Sequence, residues 1–175
     1  ERRLFPKSVN VINKYEISKS EHLAFNLDNL VEQIRSKNPS VFLIHDIAGM
    51  GKSTKSIHLG LELKKNLTNF YVLRIELGKP KCIKILKQFK KEKEKDPMKF
   101  LQSFIKRNQF EEKLFEQLYN RGRVIFLLDA FDEIPKDYVE TATEILKKLI
   151  RKNQKIKNQV IITSRSNCLN RLNEN

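Results

Sequence analysis

The sequence predicts an α/β fold in which helices cover both faces of a mostly parallel central sheet. Short apolar runs rich in β-branched residues, the pattern of buried strands, occur at residues 41–44, 124–128 and 159–163. Segments with helical spacing of apolar residues separate these runs, and polar or charged side chains follow each run directly. Parallel strands would gather these side chains at one edge of the sheet, where open α/β sheets bind ligands.

The composition is that of one folded domain. The chain has 175 residues, of which 39% are hydrophobic, enough for a packed core. No apolar run approaches the length of a membrane span, and no signal peptide opens the sequence. Cys82 and Cys168 lie far apart without metal-ligand spacing, which predicts free thiols in a reducing cytosol. Because the sequence begins with Glu1 rather than Met, we expect a piece of a longer cytoplasmic protein.

The net charge of +14 is unevenly distributed. Between Lys79 and Arg107, eleven Lys or Arg residues stand against three acidic ones, an excess of eight positive charges. Such an excess suits nucleic acid. Lysines spread over helix faces more often point to solvent, and we favour that interpretation.

The first 39 residues are predicted to form an extended segment and a leading helix. Residues 1–19 show little periodicity, and Pro6 favours extended backbone. A helix is predicted over residues 21–36, with Ser20 as its N-cap. Its apolar stripe consists of Leu23, Leu27, Leu30, Val31 and Ile34.

The strand at residues 41–44 leads into a candidate phosphate-binding loop. Glycines let backbone N–H groups converge on an anion, and the first turn of a following helix adds unpaired N–H groups and the positive end of its dipole. A lysine can reach the β- and γ-phosphates, and a hydroxyl is a hard oxygen ligand for Mg²⁺. These residue types occur in order in Asp46, Ile47, Ala48, Gly49, Met50, Gly51, Lys52, Ser53 and Thr54.

The loop departs from the usual pattern G-x-x-x-x-G-K-S/T at its first position, where this chain has Asp46. Aspartate tolerates left-handed backbone better than most residues, so the turn can form. Its carboxylate would repel phosphate if it pointed inward, so we expect it to point away. The simpler alternative is an ordinary strand-to-helix turn with a chance Gly-Lys-Ser, and phosphate binding is favoured over it.

The middle of the chain is predicted to contain a helix, a strand and further helices. The strand at residues 70–77 gains polar residues late, which indicates a less buried face or a position near the edge of the sheet. Residues 81–121 are predicted to be helical with breaks at residues 96–97 and near Asn108, and their aromatic stripes are typical of a core. The helix after the phosphate loop carries apolar residues at Ile57, Leu61, Leu63 and Leu67.

A second site follows the strand at residues 124–129. Five apolar residues ending in Asp129 indicate a strand buried on both faces, whose carboxylate emerges at the C-terminal edge of the sheet. Mg²⁺ usually takes one or two carboxylates together with phosphate oxygens and water, so Asp129 is a candidate metal ligand. Asp132 and Glu133 can position or deprotonate an attacking water, whereas Phe131 is expected to pack in the core.

The last predicted helix and strand lead to a third site. The helix begins at Asp137, with Glu140 completing a capping box. The strand at residues 159–163 delivers Ser164 and Arg165 to the same edge of the sheet. An arginine there can contact a γ-phosphate and report its presence. The alternative is a surface arginine at a strand end, and the phosphate role is favoured because two other motifs accompany it.

Together the three motifs resemble those of NACHT domains, the nucleotide-binding modules of NOD-like receptors and related STAND-class signalling ATPases. The family's second motif is four apolar residues followed by D-G-h-D-E, with h apolar, and here Ala130 replaces the glycine. The third motif, T-S-R or T-T-R, is matched by Thr163, Ser164 and Arg165. The resemblance covers roughly residues 40–170.

The resemblance implies a P-loop NTPase domain over residues 40–175 that lacks the family's helical and winged-helix regions and is truncated after the sensor strand. Its last strand would lie between the first strand and the strand of the second motif. Lys52 would hold phosphate. Ser53 and Asp129 would hold Mg²⁺.

The resemblance also implies chemistry and partners. Asp132 or Glu133 would act on water, and Arg165 would sense the γ-phosphate. ATP or GTP would be hydrolysed slowly, with ADP holding a closed form and ATP favouring one that self-associates. The parent would be a cytoplasmic, receptor-like protein of innate immune signalling that does not associate with membranes.

Two other functions stay open. The lysine-rich region at residues 79–107 suits a nucleic-acid-dependent ATPase, whose affinity for DNA or RNA falls with salt. Asp46 leaves open a degenerate module that binds nucleotide poorly and serves as a scaffold for protein interaction.

Overall fold

The computed structural model describes residues 8–12, 21–24, 27–36, 41–45, 52–93, 95–105 and 109–164. The elements follow in the order β1 (Ser8–Ile12), β2 (Glu21–Ala24), α1 (Leu27–Arg35), β3 (Val41–His45), α2 (Lys52–Asn66), β4 (Tyr71–Glu76), α3 (Pro80–Phe89), α4 (Pro97–Gln102), α5 (Gln109–Asn120), β5 (Val124–Asp129), a 3-10 turn (Phe131–Glu133), α6 (Lys136–Ile156) and β6 (Gln159–Ser164). None of the helices in these ranges has the length and apolar character that crossing a membrane requires.

The six strands form one sheet with the order β2-β1-β3-β6-β5-β4. Strands β3, β6, β5 and β4 run parallel to one another, and β1 and β2 extend the sheet beyond β3 as antiparallel strands. The predicted α/β fold with a mostly parallel sheet is therefore confirmed. Strand β6 lies between β3 and β5, as the resemblance implied, and β4 lies at the edge of the described strands, which is one of the two alternatives that its late polar residues indicated.

The parallel strands separate two apolar cores. Side chains of β5 alternate between them, because successive residues of a strand point to opposite faces. Val124, Phe126 and Leu128 join the core that lies under α3–α6. Ile125 and Leu127 join the core that lies under α1 and α2. A strand buried on both faces has no solvent-exposed position for a polar side chain, which explains the continuous apolar run before Asp129.

The amino ends of β5 and β6 are tied together by the buried side chain of Asn158. Its Oδ1 accepts a hydrogen bond from the backbone N–H of Val124 at 2.9 Å, and its Nδ2 donates to the carbonyl of Tyr119 at 3.0 Å. Gly122 lies in this junction with a φ of 67°, and an added Cβ would come within 2.3 Å of the Ile156 carbonyl oxygen. A glycine is therefore required here.

The predicted helix over residues 21–36 is wrong at its start. Glu21–Ala24 is strand β2, which pairs antiparallel with β1, and α1 begins at Leu27. Pairing with β1 satisfies the backbone of this segment in place of helical hydrogen bonds. The later part of the apolar stripe is confirmed, since Leu30, Val31 and Ile34 are buried. The extended segment predicted over residues 1–19 is described only at Ser8–Ile12, and Ser20 lies outside the described residues.

Two details of the helices also differ from the predictions. Helix α6 begins one residue earlier than predicted, after Pro135, and no side chain caps it, so the capping box at Asp137 is wrong. Proline fixes a φ compatible with the entry to a helix. Of the four apolar residues noted in and just after α2, Ile57 and Leu61 are 47% and 58% exposed, whereas Leu63 and Leu67 are buried together with Leu59.

Cys82 is a free thiol, as predicted, and the structure shows that it is buried. Burial raises the pKa of this thiol to about 12. Cys168 lies outside the described residues.

Candidate functional site

The carboxyl ends of the four parallel strands meet at one edge of the sheet. The strand register pairs His45 of β3 with Ser164 of β6, and Glu76 of β4 with Asp129 of β5. The third motif therefore lies beside the end of the strand that leads into the first, and the second motif lies one strand further along the same edge. Arg165 directly follows β6, and its own position is outside the described residues.

Part of the candidate phosphate loop can be located from its two ends. Strand β3 ends at His45 on the shared edge, and the backbone of α2 begins at Lys52. Lys52 and Ser53 lie in the first turn of this helix, although their side chains are outside the described part, and Thr54 is exposed. The remaining predicted loop residues, which are likewise outside the described ranges, are Asp46, Ile47, Ala48, Gly49, Met50 and Gly51.

Ser56 fastens the start of α2 to the carboxyl end of β5. Its buried hydroxyl donates a hydrogen bond to Oδ2 of Asp129 at 2.7 Å. Ser56 lies four residues after Lys52, so both occupy the same side of the helix, with backbones separated by roughly 6 Å along its axis. The backbone of Lys52 is therefore about one helical turn from the residue that contacts Asp129.

The Asp129 carboxylate is buried, with 2% of its side chain exposed, and both of its oxygens accept hydrogen bonds. Oδ1 accepts from the hydroxyl of Thr163 at 2.5 Å, and that hydroxyl accepts from the backbone N–H of Ala130 at 3.0 Å. Oδ2 accepts from Ser56 and from Nη2 of Arg74, each at 2.7 Å. Donors from two neighbouring strands and a helix thus fix the orientation of this carboxylate and offset the cost of burying it.

Arg74 of β4 was not identified from the sequence. Its Nε donates to Oγ of Ser56 at 2.6 Å, and its Nη1 pairs with Glu76. Lys79 also pairs with Glu76, at 3.4 Å. Burial acts to raise the pKa of Glu76, but the hydrogen bond and charge of Arg74 and the charge of Lys79 outweigh it, so that pKa lies below its usual range. The signal in the sequence was an arginine inside the apolar run of a predicted strand. It lies two residues from Val72 and therefore on the same face of that strand, and Val72 is buried in the structure.

The residues after Asp129 form a tight turn at the same edge. Ala130 has a φ of 60° and a ψ of 49°, the left-handed region, which explains why the family pattern has glycine at this position. Phe131 is 2% exposed and packs in the core, as predicted. Asp132 and Glu133 complete the 3-10 turn, with Asp132 half-buried and Glu133 exposed. Glu133 packs against the turn after β4, where a Cβ on Gly78 would come within 2.6 Å of Glu133 Cβ.

The donor set suits Mg²⁺ better than a cation held by protein ligands alone. Across the described ranges, no group of three or more His, Cys, Asp or Glu side chains could hold a metal ion. Mg²⁺ is commonly bound by one or two carboxylates, with phosphate oxygens and water completing its shell. The oriented carboxylate of Asp129 fits the role of a Mg²⁺ ligand. Ser53, which the resemblance implies as the second ligand, lies in the first turn of α2.

Comparison with known families agrees with this geometry. The family model described as NACHT domain matches residues 40–175 of the chain. The match starts just before β3 and contains all three motifs. No curated protein matches the chain.

Thr163→Val should lower the free energy of unfolding by about 1–3 kcal/mol, because Asp129 loses a donor and the N–H of Ala130 loses its acceptor in a buried site. Thr163→Ser keeps the hydroxyl and should retain most of this stability. Urea unfolding followed by circular dichroism measures both variants. A valine variant as stable as the wild type would show that these hydrogen bonds contribute nothing to folding.

Proposed function

Because the chain belongs to the NACHT domain family, a nucleotide-binding P-loop NTPase module, we propose that it binds ATP or GTP together with Mg²⁺ and hydrolyses it slowly. The binding site is the carboxyl edge of β3, β5 and β6. The observation that carries the proposal is the hydrogen bond from Ser56 to Asp129. It joins the helix that follows the first motif to the acid of the second, which is the juxtaposition that Mg²⁺-nucleotide binding requires.

The binding roles follow from residue chemistry and position. Lys52 holds the β- and γ-phosphates, and the N–H groups at the start of α2 add partial positive charge. Ser53 and Asp129 hold Mg²⁺, which neutralises phosphate charge when it is bound. Residues 46–54 supply the loop around the phosphates.

The hydrolytic roles belong to the second and third motifs. Asp132 or Glu133 orients and deprotonates the attacking water, and the support for this is their place in the turn directly after Asp129. Arg165 contacts the γ-phosphate, supported by its place directly after β6. Because hydrolysis is slow, the bound nucleotide acts as a switch: ADP holds a closed form, and ATP favours a form that self-associates within a cytoplasmic signalling protein.

Lys52→Ala should weaken Mg²⁺-dependent binding of a fluorescent ATP analogue by roughly tenfold or more, since the variant has no ammonium group to hold the phosphates. Lys64→Ala is the matched control, because it removes an exposed lysine from the same helix and should leave affinity unchanged. Fluorescence titration of the purified chain measures both. Undiminished binding by Lys52→Ala would contradict the site. Absence of binding by the wild type would instead favour the scaffold alternative.

Asp132→Asn or Glu133→Gln should reduce single-turnover ATP hydrolysis by about 100-fold, while nucleotide affinity stays near that of the wild type. Only the variant of the residue that acts on water should show this loss of hydrolysis. Asp137→Asn, an exposed carboxylate at the start of α6, is the control. If both variants hydrolyse ATP at the wild-type rate, neither side chain acts on water.

One observation favours a second function, an ATPase stimulated by nucleic acid. Lys84, Lys87 and Lys91 are exposed and spaced three and four residues apart, so they continue one face of α3 into the following turn. Within the described part of the chain, no ion pair with an acidic side chain involves any of them. A row of lysines of this kind can follow a phosphate backbone.

This second function predicts a salt-sensitive loss of affinity on Lys84→Gln, Lys87→Gln and Lys91→Gln combined. Affinity for single-stranded DNA or RNA should fall, and the slope of log affinity against log salt should decrease by about 0.7 for each phosphate that the variant no longer neutralises. A triple variant of Lys64, Lys65 and Lys155 to Gln, with the same charge change elsewhere, should bind normally. Wild-type protein without measurable nucleic-acid affinity at low salt would exclude this function.

A further inference from the structure

The Arg74 guanidinium lies against the carboxylate that the proposed function assigns to Mg²⁺. Its Nη2 donates to Oδ2 of Asp129 at 2.7 Å, yet Arg74 belongs to none of the three motifs. A guanidinium and a divalent cation repel each other strongly when they share one buried carboxylate, because the low dielectric screens little. The two positive groups therefore compete for Asp129.

Arg74 also has a second acidic partner, Glu76. Its Nη1 pairs with Glu76, and 21% of the Arg74 side chain is exposed, against 2% for Asp129. Glu76 lies two residues along the same strand and is itself 27% exposed. A small movement toward Glu76 would release Asp129 while the guanidinium stays paired, so the exchange leaves no buried charge without a partner.

We propose that Arg74 holds Asp129 when the site is empty and releases it, shifting toward Glu76, when Mg²⁺ and nucleotide bind. This inference rests on the proposed function, which supplies the Mg²⁺. Arg74 is a positioning residue with two effects. It compensates the buried carboxylate in the nucleotide-free protein, and it raises the Mg²⁺ concentration that nucleotide binding requires.

Arg74→Gln tests both effects because they have opposite signs. The melting temperature without Mg²⁺ and nucleotide should fall by several degrees, since Asp129 loses its counter-charge. The Mg²⁺ concentration for half-maximal binding of a fluorescent ATP analogue should fall by about threefold or more, since the competing cation is gone. A merely structural role would lower the melting temperature and leave the Mg²⁺ midpoint unchanged.

Three further variants sharpen the test. Lys64→Gln removes an exposed positive charge from α2 rather than from the Arg74, Glu76 and Asp129 cluster, and the Mg²⁺ midpoint should stay at the wild-type value. Glu76→Gln removes the alternative partner of Arg74, so the midpoint should rise. Arg74→Lys keeps the charge but not the planar fork that reaches Ser56, Glu76 and Asp129 together, so the midpoint should fall by less than in Arg74→Gln. If Arg74→Gln does not fold, Arg74→Lys and Glu76→Gln carry the test.

Two outcomes would overturn the inference. One is an unchanged or raised Mg²⁺ midpoint in Arg74→Gln. The other is weaker nucleotide binding by this variant in EDTA, which would assign Arg74 to the phosphates. If the wild type binds no nucleotide, the proposed function fails separately. Melting curves with MgCl₂ alone then decide for Arg74: a larger stabilisation of Arg74→Gln than of the wild type supports the inference, and an equal one overturns it.

Discussion

The buried carboxylate of Asp129 is the group on which the arrangement of the site depends. It lies at the end of a strand that is apolar on both faces, and no position on that strand can compensate its charge. The compensating groups come from elsewhere: a hydroxyl from α2, a hydroxyl from β6 and a guanidinium from β4. An unpaired buried carboxylate is costly, so these contacts must form. They fix the position of the start of α2 relative to the carboxyl ends of β4, β5 and β6.

This constraint connects the fold to nucleotide chemistry. The contacts that make the buried acid tolerable also bring the start of α2 to the edge where the strands end. Phosphate binding needs that helix start, and Mg²⁺ needs that acid. The hydrogen bonds that compensate Asp129 therefore also place the helix start and the carboxylate that the proposed function requires. The proposed binding of Mg²⁺ would require some of these internal contacts to be released.

The sequence predicted the features that local pattern determines. The continuous apolar run before Asp129 gave β5 at its observed bounds, and the breaks near Pro97 and Asn108 agree with three separate helices. The features that were missed depend on partners in other elements of the fold. Strand β2 forms because β1 pairs with it, and Arg74 matters because β4 lies beside β5. Ser56 and Asp129 are 73 residues apart, so no window of sequence shows their contact.

The two antiparallel strands outside the family match have a consequence for the limits of the folded unit. Strand β1 pairs along β3 from Ser8 to Ile12, although the family match begins only at residue 40. A shortened chain starting at that boundary would lose both strands and leave the outer N–H and C=O groups of β3 without partners. Exposed strand borders of this kind recruit other chains, so trimming the protein to its recognised family segment would favour aggregation.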